Sequence, residues 1–295
     1  MNGAAIAQSR LSEPRIGNRP VHLLVDSDPP TLRQESRTQA TVPITWHGSE
    51  RAPMQEMMAA ASGAGCTSCH ARRFCMPAGY DAKMASALKG VFGQSRKVKR
   101  GSAIFRTGER FRNLYVVKVG ASKTVAVNND GREHITGFQI AGEFIGMEGI
   151  STGRHELDAV ALEDSVVCSV PFDALSRLGE RDFGLRNHLH KLMSRELLRE
   201  SALLMLMGRM NAVEKLVAFL LNLSKRYADR GYSAHEFNLR MTREEIGCHL
   251  GLTLETVSRL FSRLSSLGLI QCSGKQISIT DMAGLEQIHR HCIPE

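Results

Sequence analysis

From about residue 96 to 172, apolar and polar residues alternate in short runs such as LYVVKVGASKTVAV, and glycine recurs at 101, 108, 120, 131, 137, 142, 146 and 149. Alternation with period two buries one face of a strand, and turn signals this frequent leave no room for the crossover helices of an α/β sheet. The expected form is a sandwich or barrel-like β-roll. Helical periodicity then returns in RNHLHKLMSRELLRESALLMLMGRM, residues 186–210. Such a helix is ~37 Å long at 1.5 Å per residue, more than one small core requires. A compact helical segment with a small hairpin fills 212–290, so the fold class is α+β.

The rest of the chain divides around this region. Residues 1–60 hold six of the nine prolines and no persistent periodicity, which suggests a disordered tail. A cysteine loop, GCTSCHARRFCMP, falls within 61–80, and DAKMASALKGVF (81–92) has helical spacing. The expected units are therefore the tail (1–60), the cysteine loop (61–80), a β-roll domain (81–184), a long helix (185–211) and a C-terminal helical domain with a hairpin (212–295).

In the long helix, Met193, Leu197, Glu200, Leu204 and Met207 follow a 4-3-4-3 spacing, as a coiled-coil seam does. The spacing predicts a homodimer; the alternative is a helix packed on the β-roll. Glu200 interrupts the apolar seam, and two copies facing each other across a dimer axis would oppose association.

MTREEIGCHLGLTLETVSRLFSRLSSLGLI reads as helix, tight turn, helix. Thr242 and Glu245 form a capping box, Gly251 ends the first helix, and Thr253 caps the second. LIQCSGKQISI, with a Ser273-Gly274 turn, has the pattern of a wing. In the second helix Val257, Leu260, Phe261, Leu264 and Leu267 form the expected buried stripe, while Glu255, Ser258, Arg259 and Ser262 face the other way. Arginine can contact guanine with two bonds, glutamate can accept from the cytosine amino group, and serine is permissive. Residues near the start of a recognition helix meet base edges in the major groove. Double-stranded DNA is thus the expected partner, the alternative being that Glu255 and Arg259 are only a surface ion pair.

Charge agrees with DNA. The net charge is +8, and residues 1–60 are neutral with six arginines and six acids, so the excess lies on the remainder. No apolar run approaches the ~20 residues of a membrane helix, and no secretory signal pattern opens the chain; a cytoplasmic protein is expected. No phosphate-binding loop or Ser/His/Asp order stands out, so no enzyme is expected.

Seven cysteines in a reducing compartment suggest metal or redox chemistry. Cys66, Cys69 and Cys75 are spaced C-x2-C-x5-C, and Cys168 follows in the roll. Three thiolates on a loop can converge, with a fourth supplied by the fold. Ligand softness leaves zinc and an iron–sulfur cluster equally open. His70 is read as a neighbour of the site, and Cys248, Cys272 and Cys292 as structural thiols.

The sequence resembles the CRP/FNR superfamily of transcription regulators, FNR branch, in GEFIGMEGI, NAVEKLVAFLLNLSKRYADRGYSAHEF and MTREEIGCHLGLTLETVSR. The resemblance covers about residue 63 to the C-terminus. It implies a cyclic-nucleotide-binding-like β-roll sensor, a dimerisation helix and a C-terminal winged helix-turn-helix. It also implies an inverted repeat of TTGAT, four spacer bases and ATCAA, with Glu255 on cytosine, Ser258 on thymine and Arg259 on guanine. Leu254 stands where valine is commoner in the family. The x5 gap and the distant cysteine in EDSVVCSVPF resemble the ligand set of oxygen-sensing members, which implies a 4Fe-4S cluster on Cys66, Cys69, Cys75 and Cys168. Such a cluster would stabilise the dimer under low oxygen, and members carry an acidic residue at the position of Glu200. Activation or repression would involve RNA polymerase, with a loop such as Asn129 to Glu133 as the contact. Cyclic nucleotide is not expected, because His155-Glu156 stands where nucleotide-binding members carry an Arg-Ser pair. The competing reading is a zinc- or thiol-based regulator of the same shape.

Overall fold

The computed structural model describes residues 69, 72–76, 94–128 and 130–290. The tail, the helix expected over 81–92, Cys66, His70, Asn129 and Cys292 lie outside the described residues. A short helix α1 (Arg72–Cys75) precedes the strands β1 (Gln94–Val98), β2 (Ala103–Phe105), β3 (Asn113–Val119), β4 (Ala121–Val127), β5 (Glu133–Ile140) and β6 (Phe144–Ile145). A turn of helix, α2 (Gly149–Thr152), leads to β7 (Asp158–Ala161) and β8 (Ser165–Pro171). These strands form two antiparallel four-stranded sheets, ordered β1-β8-β3-β6 and β2-β7-β4-β5.

Alternation carries the roll as expected. Val98, Ile104, Phe105, Val117, Ile145, Ala159, Ala161 and Val167 from both sheets fill one buried cluster. Each fully buried aliphatic side chain contributes roughly 1.5–3 kcal/mol. Between β3 and β4 the chain passes from one sheet to the other at Gly120, whose φ is 93°. A Cβ there would meet the Ser165 hydroxyl oxygen at 2.2 Å, so glycine is needed for the crossing.

A helix that the alternation does not reveal, α3 (Phe172–Arg181), starts directly after β8. Asp182 then leaves helical geometry, and its carboxylate accepts from the Leu185 amide to cap α4 (Phe183–Arg209). The reading of this long helix as packed on the β-roll holds for its first half. Leu185, Leu189 and Leu192 pack with Leu114, Val116, Phe144, Val170 and Leu175 of the roll and α3. Farther along, Leu197 is 66% and Leu204 74% exposed.

The C-terminal part contains α5 (Ala212–Ala228), β9 (Glu236–Asn238), α6 (Arg243–Leu250), α7 (Leu254–Ser266), β10 (Ile270–Ser273), β11 (Gln276–Ile279) and α8 (Met282–Arg290). The hairpin gains a third strand, giving β10-β11-β9. Ser273 pairs with Gln276, so the turn centres on Gly274-Lys275 rather than on the expected Ser273-Gly274. Leu216, Leu220, Ile246, Val257, Phe261, Leu264, Ile277 and Leu285 share a core that continues into Val125, Ile135 and Phe138 of β4 and β5. Polar contacts border this junction: Lys123 Nζ to Glu245 Oε1 at 2.9 Å, Arg240 Nη1 to Glu163 Oε2 at 2.7 Å, and His249 Nδ1 to the Ile135 carbonyl at 2.9 Å.

Candidate nucleic-acid interface and metal centre

The local signals of the helix-turn-helix act as read. Thr242 Oγ1 accepts from the Glu245 amide at 3.1 Å, and Glu245 Oε2 accepts from the Thr242 amide at 2.7 Å. Gly251 takes φ 65° at the end of α6, and Thr253 Oγ1 accepts from the Thr256 amide at the start of α7. One necessary residue escaped the sequence reading. A Cβ on Gly247 would lie 2.6 Å from the Leu252 carbonyl oxygen, so glycine allows the turn to fold back on α6. Arg243 also went unread; its guanidinium lies 3.1 Å from the centre of the Phe261 ring, pinning α6 to α7.

Along α7, Val257, Leu260, Phe261 and Leu264 are buried, whereas Glu255, Ser258, Arg259 and Ser262 are exposed. Leu267 does not belong to the buried stripe. It is 59% exposed, because the helix ends there and Gly268 turns the chain away with φ 71°. Glu255 and Arg259 form no ion pair among the described residues; Arg259 Nε instead donates to the Glu255 carbonyl at 3.4 Å. The Glu255 carboxyl is held below the usual range by the amide at its own helix start and by the Thr253 hydroxyl. The reading face thus offers an ionised acceptor, a hydroxyl and a guanidinium to solvent, one turn of helix apart. Lys275 at the wing tip is exposed as well.

The cysteines are only partly assembled. Cys75, at the end of α1, and Cys168, on β8, belong to the same apolar cluster as Leu185, Leu189 and Leu192 of α4. His188 of α4 hydrogen-bonds the Cys75 backbone, and burial lowers its pKa. Its Nε2 has no hydrogen-bond partner among the described residues. Cys69 is half-buried, as is Cys168, and Cys75 is buried. Among the described residues no three His, Cys, Asp or Glu side chains are gathered closely enough to hold a metal ion. Two of the four expected ligands therefore share a cluster, Cys69 is not gathered with them, and Cys66 is outside the description. The donor chemistry, cysteine sulfurs against apolar walls with the His188 Nε2 lacking a hydrogen-bond partner among the described residues, fits a soft metal centre.

Two other cysteines have different settings. Cys248 Sγ accepts from the Ile135 amide at 3.4 Å in the junction between α6 and β5, and Cys272 is exposed on β10.

The helix seam has its own geometry. Met193, Leu197 and Leu204 are exposed, with Glu200 exposed among them; the Met207 side chain lies outside the description. Met193, Leu197 and Glu200 border a groove of about 1160 Å³ between α4, the roll and α5.

The turn at Gly142-Glu143-Phe144 and the residue His155 of the roll are engaged within the chain. Glu143 is buried and bonded to Arg199, Arg226 and Arg230. His155 is buried with its ring stacked 3.7 Å from that of Phe105, and its Nδ1 lies 3.2 Å from Glu148 Oε1. No helix of the described residues is long and apolar enough to cross a membrane.

Comparison with known proteins agrees with both halves of the fold. Residues 95–182 match the cyclic nucleotide-binding domain, and residues 214–288 the Crp-like helix-turn-helix domain. The chain is 41% identical over 223 residues to the transcriptional regulatory protein btr of Bordetella pertussis, covering 76% of this chain and 92% of that one. It is 36% identical over 226 residues to the fumarate and nitrate reduction regulatory protein of Escherichia coli, covering 77% and 90%. It is 38% identical to the anaerobic regulatory protein of Pasteurella multocida, covering 76% and 82%. Among solved structures, FixK2 from Bradyrhizobium japonicum aligns with a TM-score of 0.60 at 29% identity, over 68% of this chain and 98% of that one. The chain belongs to the CRP/FNR superfamily of transcription regulators.

Proposed function

We propose that this protein is a cytoplasmic, oxygen-responsive transcription regulator. It acts as a homodimer on an inverted repeat of TTGAT and ATCAA, reading cytosine with Glu255, thymine with Ser258 and guanine with Arg259. Its sensing group is a 4Fe-4S cluster held by Cys66, Cys69, Cys75 and Cys168. When bound, that group supplies an oxygen-labile link among four thiolates. The single observation carrying the reading is the position of Cys75 and Cys168 in the same apolar cluster as the first half of α4. Held together, the two thiols fix α1 and β8 against that half, which aims the exposed seam of Met193, Leu197, Glu200, Leu204 and Met207 at a second copy. Released, they leave the Glu200 pair to oppose association, and a monomer loses one half-site together with its phosphate contacts. The names of the relatives from Escherichia coli and Pasteurella multocida point to the same anaerobic role. The turn between β4 and β5, exposed over 130–133, is the surface offered to RNA polymerase.

The deciding experiment is an absorption spectrum of anaerobically purified protein, followed into air alongside specific DNA binding. Brown protein that bleaches as binding falls is the expected result. Colourless, zinc-loaded protein whose DNA binding ignores air refutes the sensing half and retains the DNA reader.

A further inference from the structure

Glu143 lies in the turn between β5 and β6 with its side chain 1% exposed. One carboxylate oxygen accepts from Arg226 Nε at 2.9 Å, Arg230 Nη2 at 2.9 Å and Arg199 Nη2 at 3.2 Å. The other accepts from Arg226 Nη2 and from the Ile140 amide. Arg199 belongs to α4, while Arg226 and Arg230 lie in and just after α5, the first helix of the DNA-binding part. Burial works to raise the Glu143 pKa, but the charges of Arg226, Arg199 and Arg230 hold it below the usual range.

A fourth segment reaches the same point. The Arg230 guanidinium sits 5.0 Å from the centre of the Phe74 ring, directly before Cys75. Phe74 also occupies the space that a side chain at residue 142 would need, since a Cβ on Gly142 would lie 2.8 Å from Phe74 Cδ2. Arg230 Nε donates to the Ala141 carbonyl at 2.7 Å, which holds the guanidinium between Phe74 and the turn. A continuous run of contacts therefore passes from the cysteine segment through Phe74, Arg230 and Glu143 to Arg199. It joins parts of the chain far apart in sequence, and a buried carboxylate surrounded by three guanidiniums cannot lose one of them cheaply.

We propose that Glu143 is a positioning residue that couples the cysteine segment to both the dimerisation helix and the DNA-binding domain, with Phe74–Arg230 as its input and Arg199 as its arm to α4. This deepens the proposed function, on which it rests for its biological meaning: the signal is carried through an ion-pair junction, and the carboxylate is engaged within the chain.

The test is hydrogen–deuterium exchange on full-length protein. Phe74→Leu keeps apolar bulk and removes the flat face under Arg230. It is expected to speed exchange about tenfold in both α4 residues 194–203 and α5 residues 222–228, as loss of a charge-assisted contact does. Adding Arg199→Gln should cancel the α4 response to Phe74→Leu and leave the α5 response intact. Glu143→Gln should loosen 72–76, α4 and α5 together, while β2 and β7 in the other sheet stay unchanged. A Phe74→Leu effect confined to 72–76 overturns the proposal, as does an α4 response that survives Arg199→Gln. If Glu143→Gln does not fold, the Phe74 and Arg199 variants still decide: Arg199 is the most exposed of the three guanidiniums at 35%, Gln keeps a donor in its place, and Arg226 and Arg230 still neutralise Glu143. The exchange pattern is read whatever metal the protein carries. Failure of the oxygen reading appears separately, as colourless protein indifferent to air.

Discussion

Replacing Arg259 by alanine separates base reading from general attraction to DNA. The side chain is exposed on α7, and its bond in the fold is the 3.4 Å contact from Nε to the Glu255 carbonyl. The buried stripe of Val257, Leu260, Phe261 and Leu264 is untouched. The stability change should remain within about 0.5 kcal/mol, a thermal midpoint shift of about 2 °C or less. On DNA the cost is larger. A two-bond arginine–guanine contact carries about 1–3 kcal/mol of discrimination, and a dimer makes it once per half-site. The palindrome therefore loses about 2–6 kcal/mol, or roughly 30- to 20,000-fold in Kd. Fluorescence anisotropy at fixed salt, with a TTGAT-N4-ATCAA duplex and a scrambled duplex of equal length, measures both quantities. In a third duplex the guanine of each half-site is replaced; the wild type should lose affinity there, and the variant should lose little more. Equal weakening on all three duplexes would refute guanine recognition by Arg259 and reduce the residue to a phosphate contact.

Three further perturbations address other parts of the fold. Glu200→Ala should tighten the aerobic dimer on the order of tenfold in sedimentation equilibrium, by removing a pair of like charges from the seam; an unchanged equilibrium in air refutes the seam. Gly247→Ala should cost about 1–3 kcal/mol in denaturant unfolding, because its Cβ meets the Leu252 carbonyl at 2.6 Å; unchanged stability would show that the turn can relax. His249 is kept neutral by burial: its pKa is lowered below 6.5 as the Phe138 and Phe219 rings pack against it and His134 and Arg226 add positive charge, outweighing the Nδ1 bond to the Ile135 carbonyl, which works to raise it. A lowered histidine pKa contributes stability at pH above 6.5 that is lost as pH falls through the folded value, so the melting-temperature drop between about pH 7.5 and 5.5 should shrink in His249→Gln.

The helix-turn-helix was legible because its signals are local. Thr242, Glu245, Gly251 and Thr253 each act within a few residues, and caps impose the boundaries that periodicity only suggests. Leu267 was misread where periodicity was carried past a stop, since Gly268 ends the spacing before Leu267 can turn inward. The three residues of β9 are too few to show a period, and α3 follows β8 with no glycine between them. Residue types, spacing and the family resemblance proposed the cysteine ligands, but which cysteines share surroundings is a property of tertiary packing: Cys75 and Cys168 reach one apolar cluster that α4 completes. The Glu143 junction was invisible for the same reason. Its arginines lie 56 to 87 residues away from Glu143 in sequence.

The division of α4 into two halves gives these separate contacts a common consequence. Leu185 is buried in the apolar cluster that also takes in Cys75 and Cys168, and Leu204 is exposed, about 30 Å farther along at 1.5 Å per residue. A tilt of about 5° pivoting near Leu185 moves Leu204 by roughly 2.5 Å, while a gap of half to one ångström already forfeits much of a van der Waals contact. A small displacement where the cysteines pack would thus be enough to open or close the proposed seam at the far end. Arg199 lies between the two ends and is tied to Glu143, so the helix cannot tilt without pulling on the turn that also holds Arg226 and Arg230. On the proposed reading, dimer contact and the placement of the DNA-binding domain would therefore change together, joined through the Glu143 carboxylate that Arg199, Arg226 and Arg230 share.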